Sequence, residues 1–166
     1  MNSHLLVLCN YNTWANDRIC NYIANSGPAA DAELTSSFPS IRKTLYHLWD
    51  AQDIWYRRMH GESPNTWPSH HFQGTLNEAI ENIHNSSVDY VRFIENIPEN
   101  EYKKPIEFKS LDGTAYFNTI EEIVMHVMNH STYHRGQLIT MLRTAGFNAV
   151  GSTDMIRFYR EELKKI

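Results

Sequence analysis

Apolar side chains recur every three or four residues along four long stretches of this chain, which is the spacing of one face of an α-helix. Thr75 with Glu78, and Thr119 with Glu122, have the spacing of capping boxes at helix starts. Glycine and proline mark the predicted ends. We therefore expect long helices over residues 3–25, 40–60, 75–97 and 119–146.

The connections between these helices differ in length. Residues 61–74 hold two prolines, two glycines and no periodicity, which indicates a long crossover loop. A loop of this length allows the third helix to lie away from the second. Residues 105–119 alternate apolar and polar side chains around Asp112 and Gly113, which predicts a small two-stranded hairpin or an extended loop. A short helix over 154–164 closes the chain. The pattern predicts an all-α four-helix bundle with an appended hairpin.

Composition limits the class of protein. At 166 residues, with 42% hydrophobic side chains, the chain fits one domain over 1–166. A net charge of -4 without a basic cluster argues against a nucleic-acid partner. No signal peptide and no run of ~20 apolar residues is present, so we expect a cytoplasmic protein without a membrane span. Cys9 and Cys20, eleven residues apart on one helix, are expected to be reduced.

The segment HVMNHSTYHRGQL, residues 126–138, places three histidines at four-residue intervals on one helix. His130 lies within the apolar stripe of that helix, and His126 and His134 flank it one turn to either side, so either neighbouring pair can reach one point in space. Such a pair forms the helical half of many zinc sites. The alternative is an ordinary pair of surface or core histidines.

A metal site needs a third ligand from another helix. His47 is the best candidate, because it lies beside the apolar stripe of the second helix. His126 has a structural explanation of its own, since Glu122 precedes it by one helical turn and can pair with it. A metalloprotease is disfavoured because no glutamate lies between His130 and His134. The isolated histidines are expected to be solvated: His4, His60, His70, His71 and His84.

Three neighbours of these histidines have candidate roles. Asp50 can accept the second ring N–H of His47, although a solvated acid or a helical ion pair explains it equally well. Gln137 shares the histidine face and can support a ligand or make an ordinary buried hydrogen bond. Gly136 costs the helix about 1 kcal/mol relative to alanine, and we interpret it as a site of close helix packing.

With these residues identified, the sequence resembles the DinB/YfiT-like family along nearly its whole length. The resemblance is carried by YNTWANDRI (11–19), SIRKTLYHLWDAQDIWYRRMHGE (40–62), HVMNHSTYHRGQLITMLRTAG (126–146) and STDMIRFYRE (152–161). It implies an up-down-down-up bundle, commonly a homodimer, with a divalent metal ion on His47, His130 and His134. The same resemblance places His126 outside the ligand set.

Two functions follow as hypotheses. One is a metal-dependent enzyme that activates a thiol, as an S-transferase, or water, as a hydrolase, with zinc or nickel as the expected ion and manganese or iron as alternatives. Its partner is then a small-molecule substrate, with a low-molecular-weight thiol for the transferase. The other is a non-catalytic metal- or ligand-binding stress-response module. No catalytic residue beyond the metal ligands is identifiable from the sequence.

Overall fold

The computed structural model describes residues 3–163, and four long helices make up most of them. Their bounds are α1 His4–Ala24, α2 Ile41–Met59, α3 Leu76–Asn96 and α4 Ile120–Thr144. A serine or threonine hydroxyl accepts a backbone N–H at the start of each one, from Ser3, Ser40, Thr75 and Thr119. Both predicted capping boxes are formed, and all four predicted helices are confirmed.

Two apolar clusters, one at each end of the bundle, reveal the helix directions. One cluster joins the starts of α1 and α4 to the ends of α2 and α3, with Leu5, Cys9, Met59, Tyr90, Ile94, Ile123 and Val127. The other joins the ends of α1 and α4 to the starts of α2 and α3, with Ile19, Ile23, Ile41, Leu45, Ala79, Ile83, Leu138 and Met141. The helices therefore run up, down, down and up, as the resemblance implied.

The packing partners follow from this arrangement. Helices α1 and α2 each contact both α3 and α4. Two parallel helices, α2 and α3, are consecutive in the chain, so the chain must return along the whole bundle between them. The crossover does this, and it is held to α2 midway: the Ser69 backbone N–H and hydroxyl donate to the two Asp50 carboxylate oxygens at 2.8 and 2.6 Å. The predicted long crossover is confirmed, but α3 lies beside α2 rather than away from it.

The predicted hairpin and C-terminal helix are also present. Strands β1 Pro105–Lys109 and β2 Ala115–Thr119 pair antiparallel, and Gly113 takes a φ of 87° in the turn between them. Helix α5 spans Met155–Phe158 and continues as a π-turn over Tyr159–Leu163. The predicted final residue of this helix, 164, lies outside the described residues. Within residues 3–163, no helix is both long and apolar enough to cross a membrane.

A buried polar cluster, which we call the Arg135 cluster, lies between the two apolar clusters. The Arg135 guanidinium, 1% exposed, donates to the carboxamide oxygens of Asn12 and Asn16 at 2.5 and 2.9 Å. The Gln52 carboxamide oxygen accepts from both asparagines and from Ser87. Periodicity assigns these positions to the interior without indicating that they bond to one another.

Candidate metal centre

Three histidines meet where α2 packs against α4. His47 comes from α2, and His130 and His134 come from successive turns of α4. Their candidate ligand atoms all lie within 4.8 Å of one another, and no other such group of histidine, cysteine or acidic side chains occurs among residues 3–163. The Nε2 atoms of His47 and His130 are 2.9 Å apart. The structure thus brings together the three residues that the sequence singled out.

Aromatic side chains surround these rings. Phe38, from the segment before α2, stacks on His47 with ring centroids 4.3 Å apart and lies 5.8 Å from His134. Trp67, from the crossover, packs edge-on to His47 at 6.5 Å. These contacts shield one side of the cluster from water. Sequence reasoning missed Phe38 and Trp67, because both lie in irregular segments where no periodic pattern predicts a neighbour.

The second nitrogen of His134 has a defined partner. Its Nδ1 lies 2.7 Å from the Gln137 carboxamide oxygen, and the amide nitrogen of Gln137 donates to the Ser37 hydroxyl at 2.7 Å. The Gln137 oxygen can accept at this nitrogen when His134 carries its proton on Nδ1. In that tautomer the Nε2 lone pair is available to bind an ion.

Burial keeps the histidines neutral. Burial, reinforced by His134, lowers the pKa of His47 to about 4. Burial, reinforced by the other histidines, lowers the pKa of His130 to about 3. Burial also lowers the pKa of His134, against the opposing effect of its hydrogen bond to Gln137. A metal ion binds only the neutral imidazole, so at neutral pH protons compete weakly for these nitrogens.

The donor set fits a divalent ion of zinc type. Imidazole nitrogens bind zinc at about 2.0–2.1 Å, which places two ligands on one ion roughly 3 to 3.4 Å apart. The 2.9 Å between His47 and His130 is close to that spacing, and small side-chain rotations bring three atoms within 4.8 Å to it. The Nδ1 of His130 is buried without a hydrogen-bond partner among the described residues, so the polar contact of this ring is at Nε2, 2.9 Å from the Nε2 of His47.

The remaining histidines lie outside the cluster. His126 is exposed and packs edge-on to Trp55, with centroids 5.0 Å apart. Its expected pairing with Glu122 is wrong, because that carboxylate accepts the Thr119 backbone N–H and the Asn118 amide in the helix cap. The five isolated histidines are all exposed, as expected: His4, His60, His70, His71 and His84.

Two further interpretations are corrected by the structure. Asp50 bonds to Ser69 rather than to His47, so its role is to hold the crossover on α2. Gly136 is exposed, and a Cβ added there meets nothing within 4 Å, so close helix packing does not explain it. Gln137, in contrast, does support a histidine of the cluster. Cys9 and Cys20 are buried, and neither forms a disulfide among the described residues.

Two cavities flank the cluster. One, of about 390 Å³, reaches His47 and is walled by aromatic side chains, with lining residues Phe38, Tyr46, Asp50, Trp67 and Ser69 among others. The other, of about 590 Å³, runs between residues 33–36 and the outer face of α4 at Tyr133 and Gln137. His47 is the one candidate ligand that either cavity contacts among the described residues.

The fold and the cluster define a class of protein: a small up-down-down-up bundle with three histidines on two neighbouring helices. Residues 1–163 match the model of the DinB family, and the chain belongs to that family. Protein DinB from Bacillus subtilis (strain 168) is 28% identical over 155 residues, which cover 89% of each chain.

A solved structure shares the fold. YfiT from Bacillus subtilis superposes with a TM-score of 0.57 over 84% of this chain and 89% of its own, at 12% identity. YfiT is described as a probable metal-dependent hydrolase with an unusual four-helix bundle topology. The similarity extends to the bundle as a whole, and this identity is too low to carry over more than the fold.

Proposed function

We propose that this protein binds one divalent metal ion through His47, His130 and His134 and uses it to transform a small molecule. The observation that carries the proposal is the convergence of three neutral imidazoles on one point between α2 and α4. The description of YfiT as a probable metal-dependent hydrolase supports the same kind of chemistry. Zinc is the ion we favour, with nickel next, because both suit imidazole ligands.

The ligand set explains what such an ion contributes. Three neutral ligands leave the charge of a divalent ion uncompensated, and an ion in that state acidifies a bound water or thiol toward neutral pH. The chain's own residues then hold the ligands and shape the site. Gln137 fixes the proton of His134, while Phe38 packs over two of the rings.

The cavity beside His47 is our proposed substrate site. Its volume of about 390 Å³ falls within the usual range for small-molecule pockets. Phe38, Tyr46 and Trp67 offer flat apolar surfaces, so the site favours a substrate with an apolar or ring-shaped body. A substrate held there lies against a ligand of the ion.

Hydrolysis and thiol transfer place different demands on the site. Hydrolysis is usually assisted by a general base. Of the groups lining the His47 cavity that can serve as one, Asp50 has both oxygens bonded to Ser69, and the exposed His70 is the other candidate. A thiol whose pKa a bound ion would lower does not need such a base. This observation keeps conjugation of a low-molecular-weight thiol to a small electrophile as the second candidate beside hydrolysis.

Metal analysis of protein purified without an affinity histidine tag is the first test. We expect close to one divalent ion per chain and its loss in His130→Ala, with His126→Ala as the matched control on the same helix. Unchanged metal content in His130→Ala would refute the assignment of the metal site. His134→Ala then serves as the inactive reference in assays of ester and amide hydrolysis and of thiol conjugation.

The assays also separate the candidates. Activity on esters or amides without added thiol identifies a hydrolase, and activity that requires a thiol identifies a transferase. Stoichiometric metal without either activity across the panel favours a binding module. In that case the His47 cavity holds a ligand rather than a substrate.

A further inference from the structure

We infer that Gln137 is a positioning residue that selects the nitrogen of His134 offered to the metal ion, and that Ser37 biases the Gln137 amide toward the orientation this requires. The inference rests on the proposed metal site. It concerns the three-membered chain from His134 Nδ1 through Gln137 to the Ser37 hydroxyl, with 2.7 Å at each step. We call this chain the Ser37 relay.

The choice of nitrogen is not automatic. A neutral imidazole carries one proton on either nitrogen, and only the bare nitrogen can bind an ion. The carboxamide oxygen of Gln137 accepts at Nδ1, which places the proton there and leaves Nε2 bare. A flipped amide would present its NH₂ to Nδ1 and move the histidine proton to Nε2, where it blocks the ligand atom.

The orientation of the amide depends on what lies at its other end. Gln137 is only half-buried, so water competes for both of its polar groups. The Ser37 hydroxyl accepts from the amide nitrogen and so favours the orientation in which the oxygen faces His134. Because a serine hydroxyl can also donate, it biases the amide rather than locking it, and its removal should have the smaller effect.

The relay also links the two helices that carry the ligands. Ser37 belongs to the segment before α2, and that segment is fastened to α2 where Arg42 donates to both carboxylate oxygens of Asp31, at 2.5 and 2.8 Å. Gln137 and His134 belong to α4. The hydrogen bond from Gln137 to Ser37 thus holds the α4 ligand in register with the segment that carries Phe38 over His47.

Two substitutions of Gln137 are expected to affect zinc affinity differently. Gln137→Leu keeps the approximate volume and removes the acceptor, so zinc affinity should fall about 10- to 100-fold, the usual effect of losing such a partner. Gln137→Glu can only accept, so it should bind zinc at least as tightly as the wild type. Gln73→Leu, on an exposed loop residue, is the control and should change nothing. Ser37→Ala should weaken zinc binding roughly 2- to 10-fold.

A second readout does not involve the metal. Long-range ¹⁵N–¹H correlation spectra of the metal-free protein report which nitrogen of each histidine carries the proton. We expect His134 to be protonated on Nδ1 in the wild type and in Gln137→Glu, and to lose that preference in Gln137→Leu. A purely structural role of Gln137 would leave this signature unchanged.

The outcomes distinguish a failure of the Ser37 relay from a failure of the proposed metal site. If the wild type binds no zinc, the proposed function fails, and the spectra alone decide the relay. Gln137→Leu with wild-type zinc affinity, or with His134 still protonated on Nδ1, overturns the role of Gln137. Ser37 is exposed, so Ser37→Ala should fold normally, and wild-type affinity in that variant overturns the role of Ser37.

Discussion

Replacing Arg135 tests how much the buried polar cluster contributes to the fold. The guanidinium is 1% exposed, and its hydrogen bonds go to Asn12, Asn16 and the Thr132 hydroxyl, all neutral acceptors. Its charge also lies over the Tyr11 ring, 5.3 Å from the centroid. No carboxylate pairs with it among the described residues. Burial accordingly lowers its pKa from the ordinary value.

Two opposing effects set the magnitude for Arg135→Met. The carboxamide oxygens of Asn12 and Asn16 lose their guanidinium donor inside the bundle, at about 1–3 kcal/mol each, or roughly 2–6 kcal/mol together. Removing a charge that has no counter-ion offsets part of this cost, because burying an ion without a partner is itself expensive. We expect a net loss of about 2–4 kcal/mol. At roughly 2–4 °C per kcal/mol for a chain of this size, the melting temperature should fall by about 4–16 °C.

Urea and thermal unfolding followed by circular dichroism measure this loss. Arg135→Lys should destabilise the protein no less than Arg135→Met, because an ammonium keeps the buried charge while matching fewer of the acceptors. The control is Arg92→Met on α3, where the side chain is 71% exposed and the change should stay within about 0.5 kcal/mol. An Arg135→Met protein within 1 kcal/mol of the wild type would refute the reasoning.

Three further predictions concern single residues around the site and the helix caps. His126→Ala should retain stoichiometric metal and lose about 0.5–1.5 kcal/mol of stability with its edge-on contact to Trp55, as metal analysis and unfolding together would show. Gly136→Ala should raise stability by about 0.5–1 kcal/mol, because a Cβ there meets open space; a destabilised variant would restore the packing interpretation. The helix-cap hydrogen bonds lower the pKa of Glu122 from 4.5, so its charged form favours the folded state, and that contribution is lost as pH falls below about 4.5. The stability difference between wild type and Glu122→Gln should therefore shrink in acid, and a constant difference from pH 7 to pH 3 would contradict this.

The helices and the hairpin were largely predictable because their signals are local, whereas the up-down-down-up order was implied by the family resemblance. Capping boxes at Thr75 and Thr119 and the Asp112–Gly113 turn act within a few residues, so each can be read without knowing the rest of the chain. The Arg135 cluster was not predictable in the same way. Its bonds join α4 to α1, and no sequence rule specifies which interior amide an interior arginine will meet.

The residues of the site likewise divide into those that have a local sequence signal and those that do not. Helix geometry allowed His130 to pair with either His126 or His134, and the family resemblance decided for His134. His47 followed from its place beside an apolar stripe. The failure over Glu122 shows the limit of spacing: four residues permitted a pair with His126, but the helix cap offered that carboxylate backbone and amide donors instead. Ser37, Phe38 and Trp67 carried no signal, since their segments have no regular period.

The residues that sequence reasoning missed lie in long connections that the helix order requires. Because α2 and α3 run in the same direction, the crossover must span the length of the bundle, and its attachment to Asp50 brings Trp67 beside His47 halfway along α2. The connection from α1 to α2 is likewise long, since these helices are not neighbours, and it carries Ser37 and Phe38 across to α4. If tight turns joined these helices, no side chains from the connections would cover the histidines. The same helix order that demands long connections therefore supplies the walls of the site. On the proposed function, changes within those connections are where we expect substrate preference to differ between bundles that keep the same three histidines.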